Sequence, residues 1–334
     1  GDSSIDDLGI SDPESLVLEI VFERDIDYDQ FILNLTSPAL VPLREDIVEK
    51  NDDWSKKPAT TVCSGPFTLR STDYTPGAES MVLERNQYYF RDKSKDALDT
   101  PYRLVIDYSL SDEDLKLKYD NGEIFYIGEI PLSLREYYSD QAEITDEMST
   151  HVYYFNEKAL IADGGEGEYL FANETVRNAL SLAIDREAIA KSVVYARAAT
   201  ALVPYGVFET DSSKSLFRSV GGDIISTSPN IAEAKSLLAS AGIDAGKYSF
   251  AISVRSEDEV HVLIADAVAA SWNELGFNVT VNKIECIIND DFNELTAEMA
   301  EDIMDDIFNE TLYDGTFEVI ALDLVANSPN AFSI

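Results

Sequence analysis

His151 and His261 are the only two histidines among 334 residues, so imidazole chemistry has little to draw on. A Ser-His-Asp triad needs its histidine beside a nucleophile, and a zinc centre built on several histidines needs more of them. His261 falls within Ser256–Leu275, a segment of helical periodicity, where a solvent-facing or hydrogen-bonded side chain accounts for it. No Ser stands three residues before a Lys, and no Gly-Lys-Ser/Thr offers a phosphate loop. Gly164-Gly165-Glu166-Gly167 follows no strand and reads as a turn. Cys63 and Cys286 have neither CxxC nor metal-ligand spacing, and their separation leaves open whether they pair. Asp290, Asp291, Asp302, Asp305 and Asp306 lack the regular spacing and central glycine of a calcium loop and read as a solvated acidic face. Carboxylates are abundant, but nothing among 63 of them singles out a hydrolytic pair. The expectation is a protein that is not an enzyme, with no catalytic residue, metal or cofactor; a carboxylate-based hydrolase is the alternative.

The acidic excess sets the class of partner. Against 63 acidic side chains stand 25 basic ones, a net charge of −38, which repels nucleic acid and anionic membrane surfaces. A hydrophobic content of 45% with 17 Tyr and 15 Phe supports a folded core rather than an acidic tail. No apolar run is long enough to span a bilayer, and Gly-Asp-Ser-Ser at the start is not a leader; the expectation is a cytosolic protein or a processed or truncated secreted one, with Gly1 in place of Met favouring the second. Paired tyrosines at Tyr88-Tyr89, Tyr137-Tyr138 and Tyr153-Tyr154 fit either a cleft lining or strands with one ring inside and one outside.

The elements that position these residues follow from periodicity. Leu16–Phe22 alternates as a strand, Tyr28–Leu35 has helical spacing, and Asn51–Ala59 is a polar linker. Pro66–Arg70 and Met81–Arg85 form a hairpin about Thr75-Pro76-Gly77, and Tyr102–Leu110 is a strand. Ser111 caps a helix to Tyr119 that stops at Asn121-Gly122 before a strand at Ile124–Ile127. His151–Asn156 is an aromatic strand, and Thr175–Ala198 a helix capped by Asn173 or Thr175. Ile231–Ala241 is a helix closed by Gly242. Tyr248–Val254, Ser256–Leu275 and Phe277–Ile284 form a βαβ unit, which implies parallel pairing and a right-handed crossover. Helix Glu301–Leu312 leads to a last strand, Phe317–Leu324.

Several stretches carry a family resemblance: Trp54-Ser-Lys-Lys-Pro58, Cys63-Ser64-Gly65-Pro66-Phe67, Met81-Val-Leu-Glu84-Arg85-Asn86-Gln-Tyr88-Tyr89, His151-Val-Tyr153-Tyr154-Phe155-Asn156, Val176–Arg186 (VRNALSLAIDR), Val203-Pro204-Tyr205-Gly206 and Ala234–Gly242. In order and spacing they resemble the family 5 solute-binding proteins, the oligopeptide- and dipeptide-binding receptors of bacterial ABC importers. The resemblance runs from Leu16 to Ile334. It implies an α/β fold, a periplasmic-binding-protein-like (class II) lobe with a mixed sheet and βαβ units. By analogy, residues 1–58 are a stub of the first lobe, 59–326 the second ligand-binding lobe, and 327–334 a truncated return to the first.

The implied function is capture of a peptide or other small-molecule ligand by two lobes closing about a hinge, for delivery to an ABC permease; a sensor on the same fold is a further alternative. The implied location is extracellular or periplasmic, with the full-length protein membrane-anchored as a lipoprotein. Ligand contacts are expected at Ser64 and Gly65, Tyr153 and Tyr154, and Asp323, Val325 and Asn327. Family members often clamp a peptide's amino group with an aspartate in an Asp-x-x-x-Pro segment. Aligning Pro329 puts Val325 at that position, and Asp323, two residues earlier and on the same face of a strand, is the candidate substitute.

Overall fold

The structure is a computed structural model and describes residues 9–35, 40–52, 54–55, 57–72, 79–90, 101–162, 165, 167–210, 215–285, 306–326 and 331. The turn Thr75-Pro76-Gly77, Cys286, Asn327, Pro329 and the acidic positions Asp290, Asp291, Asp302 and Asp305 lie outside them. Contacts divide the chain into two units, Gly1–Arg70 with Glu84–Pro101, and Ser71–Leu83 with Tyr102–Ile334.

In the first unit the strand expected within Leu16–Phe22 forms, and it gains a partner at Ile10–Glu14 that the alternation did not indicate. Strand β1 (Ile10–Glu14) pairs antiparallel with β2 (Val17–Ile20) around Leu16, which turns with φ 66°. Helix α1 (Tyr28–Asn34) packs Phe31 edge-on against Phe22, and a short α2 (Glu45–Val48) precedes the polar stretch expected as a linker. Strands β3 (Phe67–Thr72), β4 (Ser80–Arg85) and β5 (Arg103–Asp107) are consecutive in a three-stranded sheet, as the hairpin reading expects.

After β5, which belongs to the second unit, comes α3 (Asp112–Asp120), where Ser111 accepts from the Asp114 amide as N-cap. The strand expected at Ile124–Ile127 does not form. The amides of Glu123 and Ile124 fold back onto the Lys118 carbonyl, which closes the helix, and Phe125 stays exposed, so that segment gains neither a ladder nor a buried face. The helix expected over Thr175–Ala198 is two, α4 (Glu174–Leu182) and α5 (Arg186–Val193). Asn173 caps the first as expected, while Asp185 accepts from the Ala188 amide and starts the second. The apolar stripe runs through the break, which hides it from periodicity; an N-cap aspartate is the signal that reveals it.

After α6 (Phe217–Gly221) and α7 (Ile231–Ser240) comes the expected βαβ unit: β7 (Ser249–Arg255), α8 (Glu259–Glu274) and β8 (Asn278–Ile284). Gly276 ends α8 with φ 109°, a backbone region open to glycine at little cost. Helix α9 (Asp306–Tyr313) and strand β9 (Val319–Val325) follow. With β6 (Ser149–Phe155) they complete a mixed four-stranded sheet ordered β6-β9-β7-β8, in which β7 lies parallel to both β8 and β9, and β6 antiparallel to β9.

Strand alternation gives this sheet two apolar faces. Phe155, Phe250, Ile252, Val254, Val279, Val319 and Ala321 meet α8 and α4 on one face, centred on the buried Trp272, whose indole donates to the Leu180 carbonyl at 2.9 Å. That bond satisfies a group that is costly to bury unpaired. On the opposite face Ile284 and Ile320 meet Phe308 of α9.

Candidate functional site

Three elements bring their polar ends together beyond the aromatic core. Antiparallel register sets His151 opposite Asp323 and Tyr153 opposite Ala321, so His151 and Asp323 extend the α8-facing row. Helix α8 supplies His261 from its first turn, held there because the Asp258 carboxylate caps the helix through the His261 amide at 2.9 Å. The carboxyl ends of the parallel strands β7 and β9 lie on this side of the sheet, the edge where open α/β sheets bind ligands.

Asp323 binds both imidazoles: Nδ1 of His151 is 2.9 Å from its Oδ1 and Nε2 of His261 is 3.0 Å from its Oδ2. The remaining His261 nitrogen, Nδ1, lies 3.3 Å from Asp258 Oδ2. The imidazole rings are 4.3 Å apart between centroids. Hydrogen bonds from His151 and then His261 hold the Asp323 carboxyl well below the usual carboxylate range, despite burial. Burial pulls the His261 imidazolium down, but its hydrogen bond to Asp323 and the charges of Asp323 and Asp258 outweigh that and raise it above the ordinary histidine value. Nε2 of His151 is buried without a hydrogen-bond partner.

Tyr153 lies beneath this group, edge-on to His151 at 5.3 Å and to Trp272 at 6.1 Å. Its hydroxyl is buried without a hydrogen bond, and burial, with the charges of Asp266 and Asp323, drives its ionisation far above the ordinary tyrosine range. It is a neutral, inward-facing phenol. Tyr154 points to the other face and is half exposed, the alternation of one ring in and one out. Tyr137 and Tyr138 divide in the same way, with Tyr138 2% exposed and Tyr137 54%.

Val325, opposite Ser149, shares the Asp323 face and is exposed. Ser64 is exposed, and the Gly65 carbonyl accepts from Asn86 Nδ2 at 2.9 Å; both belong to the first unit, whereas Tyr153, Tyr154, Asp323 and Val325 belong to the second. The structure thus joins Asp323 and Tyr153 to two residues discounted in the sequence, His151 and His261. His261 is hydrogen-bonded, as expected, but helix position alone gave no sign that Asp323 is its partner; it is the sheet register that brings residues 151, 261 and 323 to one place. A weak signal existed, since His151 and Tyr153 fall on one side of an alternating strand.

Comparison with known proteins agrees with this fold. Among curated relatives, the dipeptide-binding protein DppE of Bacillus subtilis is 27% identical over 293 residues, covering 85% of this chain and 50% of its own length. The periplasmic oligopeptide-binding protein OppA of Salmonella typhimurium is 26% identical over 341 residues, covering 98% and 54%. The chain therefore spans about half the length of the curated relatives it matches. Among solved structures, a periplasmic oligopeptide-binding protein (OppAIV) from Borrelia burgdorferi superposes with a TM-score of 0.68 at 21% identity, over 99% of this chain and 58% of that one. An oligopeptide ABC transporter substrate-binding domain from Bacillus anthracis gives 0.67 at 18%, over 100% and 59%. These two similarities establish the periplasmic-binding-protein-like α/β fold. The family profile described as "Bacterial extracellular solute-binding proteins, family 5 Middle" matches residues 2–333, and the chain belongs to that family.

Proposed function

We propose that the chain is part of the substrate-capture receptor of an ABC importer, with peptides as its ligand class, working outside the cytoplasmic membrane. The observation that carries this reading is the family match over nearly the whole chain, supported by relatives named for dipeptide and oligopeptide binding. On this reading residues 59–326 form the second ligand-binding lobe, and 1–58 with 327–334 belong to the first. Capture needs no bond-making: lobes closing on a peptide exclude water, and the closed form engages the permease. A receptor consumes nothing, which separates it from the hydrolase.

Each oxygen of Asp323 already accepts from an imidazole, so a peptide ammonium would have to share the carboxylate's charge with two histidines. We therefore propose that Asp323 does not clamp a free amino group. The exposed Val325, with Ser64, Gly65 and Asn327, are the proposed contacts; Tyr153 shares the face of Val325, whereas Tyr154, on the opposite face, is set aside.

Calorimetry on the receptor containing this chain tests both statements. Peptides with free and with acetylated N-termini should bind with affinities within about threefold of each other and be recovered uncleaved. Failure to bind any peptide, or release of cleaved products, would refute the receptor reading. A large preference for the free amine that disappears in Asp323→Asn would refute only the statement about the clamp.

A further inference from the structure

We propose that His151, His261 and Asp323 form a binding site for a divalent transition-metal ion of the zinc type, linking β6, β9 and α8. One donor atom from each residue lies within 4.8 Å of the other two. In a tetrahedral site with metal–ligand bonds of about 2.0–2.2 Å, donors stand roughly 3.4 Å apart. The two imidazole–carboxylate pairs, at 2.9 and 3.0 Å, are slightly closer than that. A cation replacing the bridging protons therefore needs shifts of only a fraction of an ångström to a little more.

The chemistry of the donors selects the ion. Two imidazoles and one carboxylate suit zinc, cobalt or nickel, whereas calcium and magnesium require shells of oxygen. Nδ1 of His151 and Nε2 of His261 already converge on Asp323, so the two imidazole nitrogens that would bind the ion stand beside the carboxylate that would complete its shell. His261 is already arranged as metal-binding histidines commonly are, with a carboxylate, Asp258, on the nitrogen away from the site.

Charge points the same way. Two neutral imidazoles with Asp323 and Asp258 carry −2, which a divalent ion neutralises, and the chain's net charge of −38 attracts cations generally. The donors are accessible, since the side chains of His151, His261 and Asp323 are 18%, 15% and 42% exposed.

The test uses the whole 334-residue chain, freed of metal by chelator, with Zn²⁺ and Co²⁺ as probes. Equilibrium dialysis should show one saturable high-affinity site per chain, and Co²⁺ should give visible d–d bands that Zn²⁺ abolishes. His261→Gln and Asp323→Asn should each weaken binding at least about tenfold, and Asp258→Asn, which removes an orienting carboxylate, by about 10–100-fold. Because the chain holds two histidines, nitrogen NMR of the imidazoles reads the site without any substitution, and both rings should shift on adding Zn²⁺. No saturable uptake, or uptake that leaves both histidine spectra unmoved, would overturn the proposal.

Discussion

Asp323 faces two imidazoles, and replacing it with asparagine keeps its shape while removing the charge both rings point at. Charge-assisted hydrogen bonds are worth about 1.5–3 kcal/mol each, less where solvent reaches them, and Asp323 is partly exposed. Asp323→Asn should therefore lower the unfolding free energy of the metal-free chain by about 1–2 kcal/mol in urea titrations. Combined with His151→Gln it should cost less than the sum of the two single changes, because they break the same contact. A second carboxylate gives a pH test away from this group. Lys116, then Tyr138 and Tyr137, donate to Asp120, and together these bonds hold its carboxyl below the ordinary value despite the cost of burial. A depressed carboxylate contributes stability above its unfolded pKa and loses it as pH falls through the folded one. Carbon NMR of Asp120 should show a midpoint below that of an unperturbed aspartate, and ring signals of Tyr138 should move with it. The effect on global stability should be small, since the ion pair lies at the surface.

At the scale of elements, most of the βαβ unit is readable because its cues are local: alternation in β7 and β8 and a Gly at the end of α8. The misreadings have local causes too. Thr175–Ala198 was read as one helix because its stripe of Val176, Ala179, Leu180, Ala183, Ile184 and Ile189 continues across the break, and hydrophobic spacing does not register a cap inside the stripe. Asp185→Ala removes the acceptor for the Ala188 amide and should cost about 1 kcal/mol, measured by thermal unfolding, with hydrogen exchange rising first in the opening turn of α5. Ile124–Ile127 was read as a strand from its apolar residues, yet a strand needs a neighbour, and these amides had a nearer acceptor in Lys118.

For the whole molecule, the expected consequence of two-lobed capture is that this chain alone holds too little of the cleft to bind well. Calorimetry should show peptide affinity at least about 100-fold weaker for the 334-residue chain than for the complete receptor; comparable affinity would contradict the proposed division of lobes. The acidic surface, net −38, should also keep copies apart at low salt, with the repulsion easing as salt screens it. The class of fold, the order of most elements and the family resemblance can be read along the chain, because they rest on periodicity, caps and motifs among neighbouring residues. That His151, His261 and Asp323 form one group follows from packing alone. No local pattern relates positions 110 and 62 residues apart in the chain; the register of β6 on β9 and the packing of α8 over that face do. A residue of an aromatic strand, a histidine of a helix and a substitute clamp become, at hydrogen-bond distance, a single electrostatic unit whose properties belong to none of them alone.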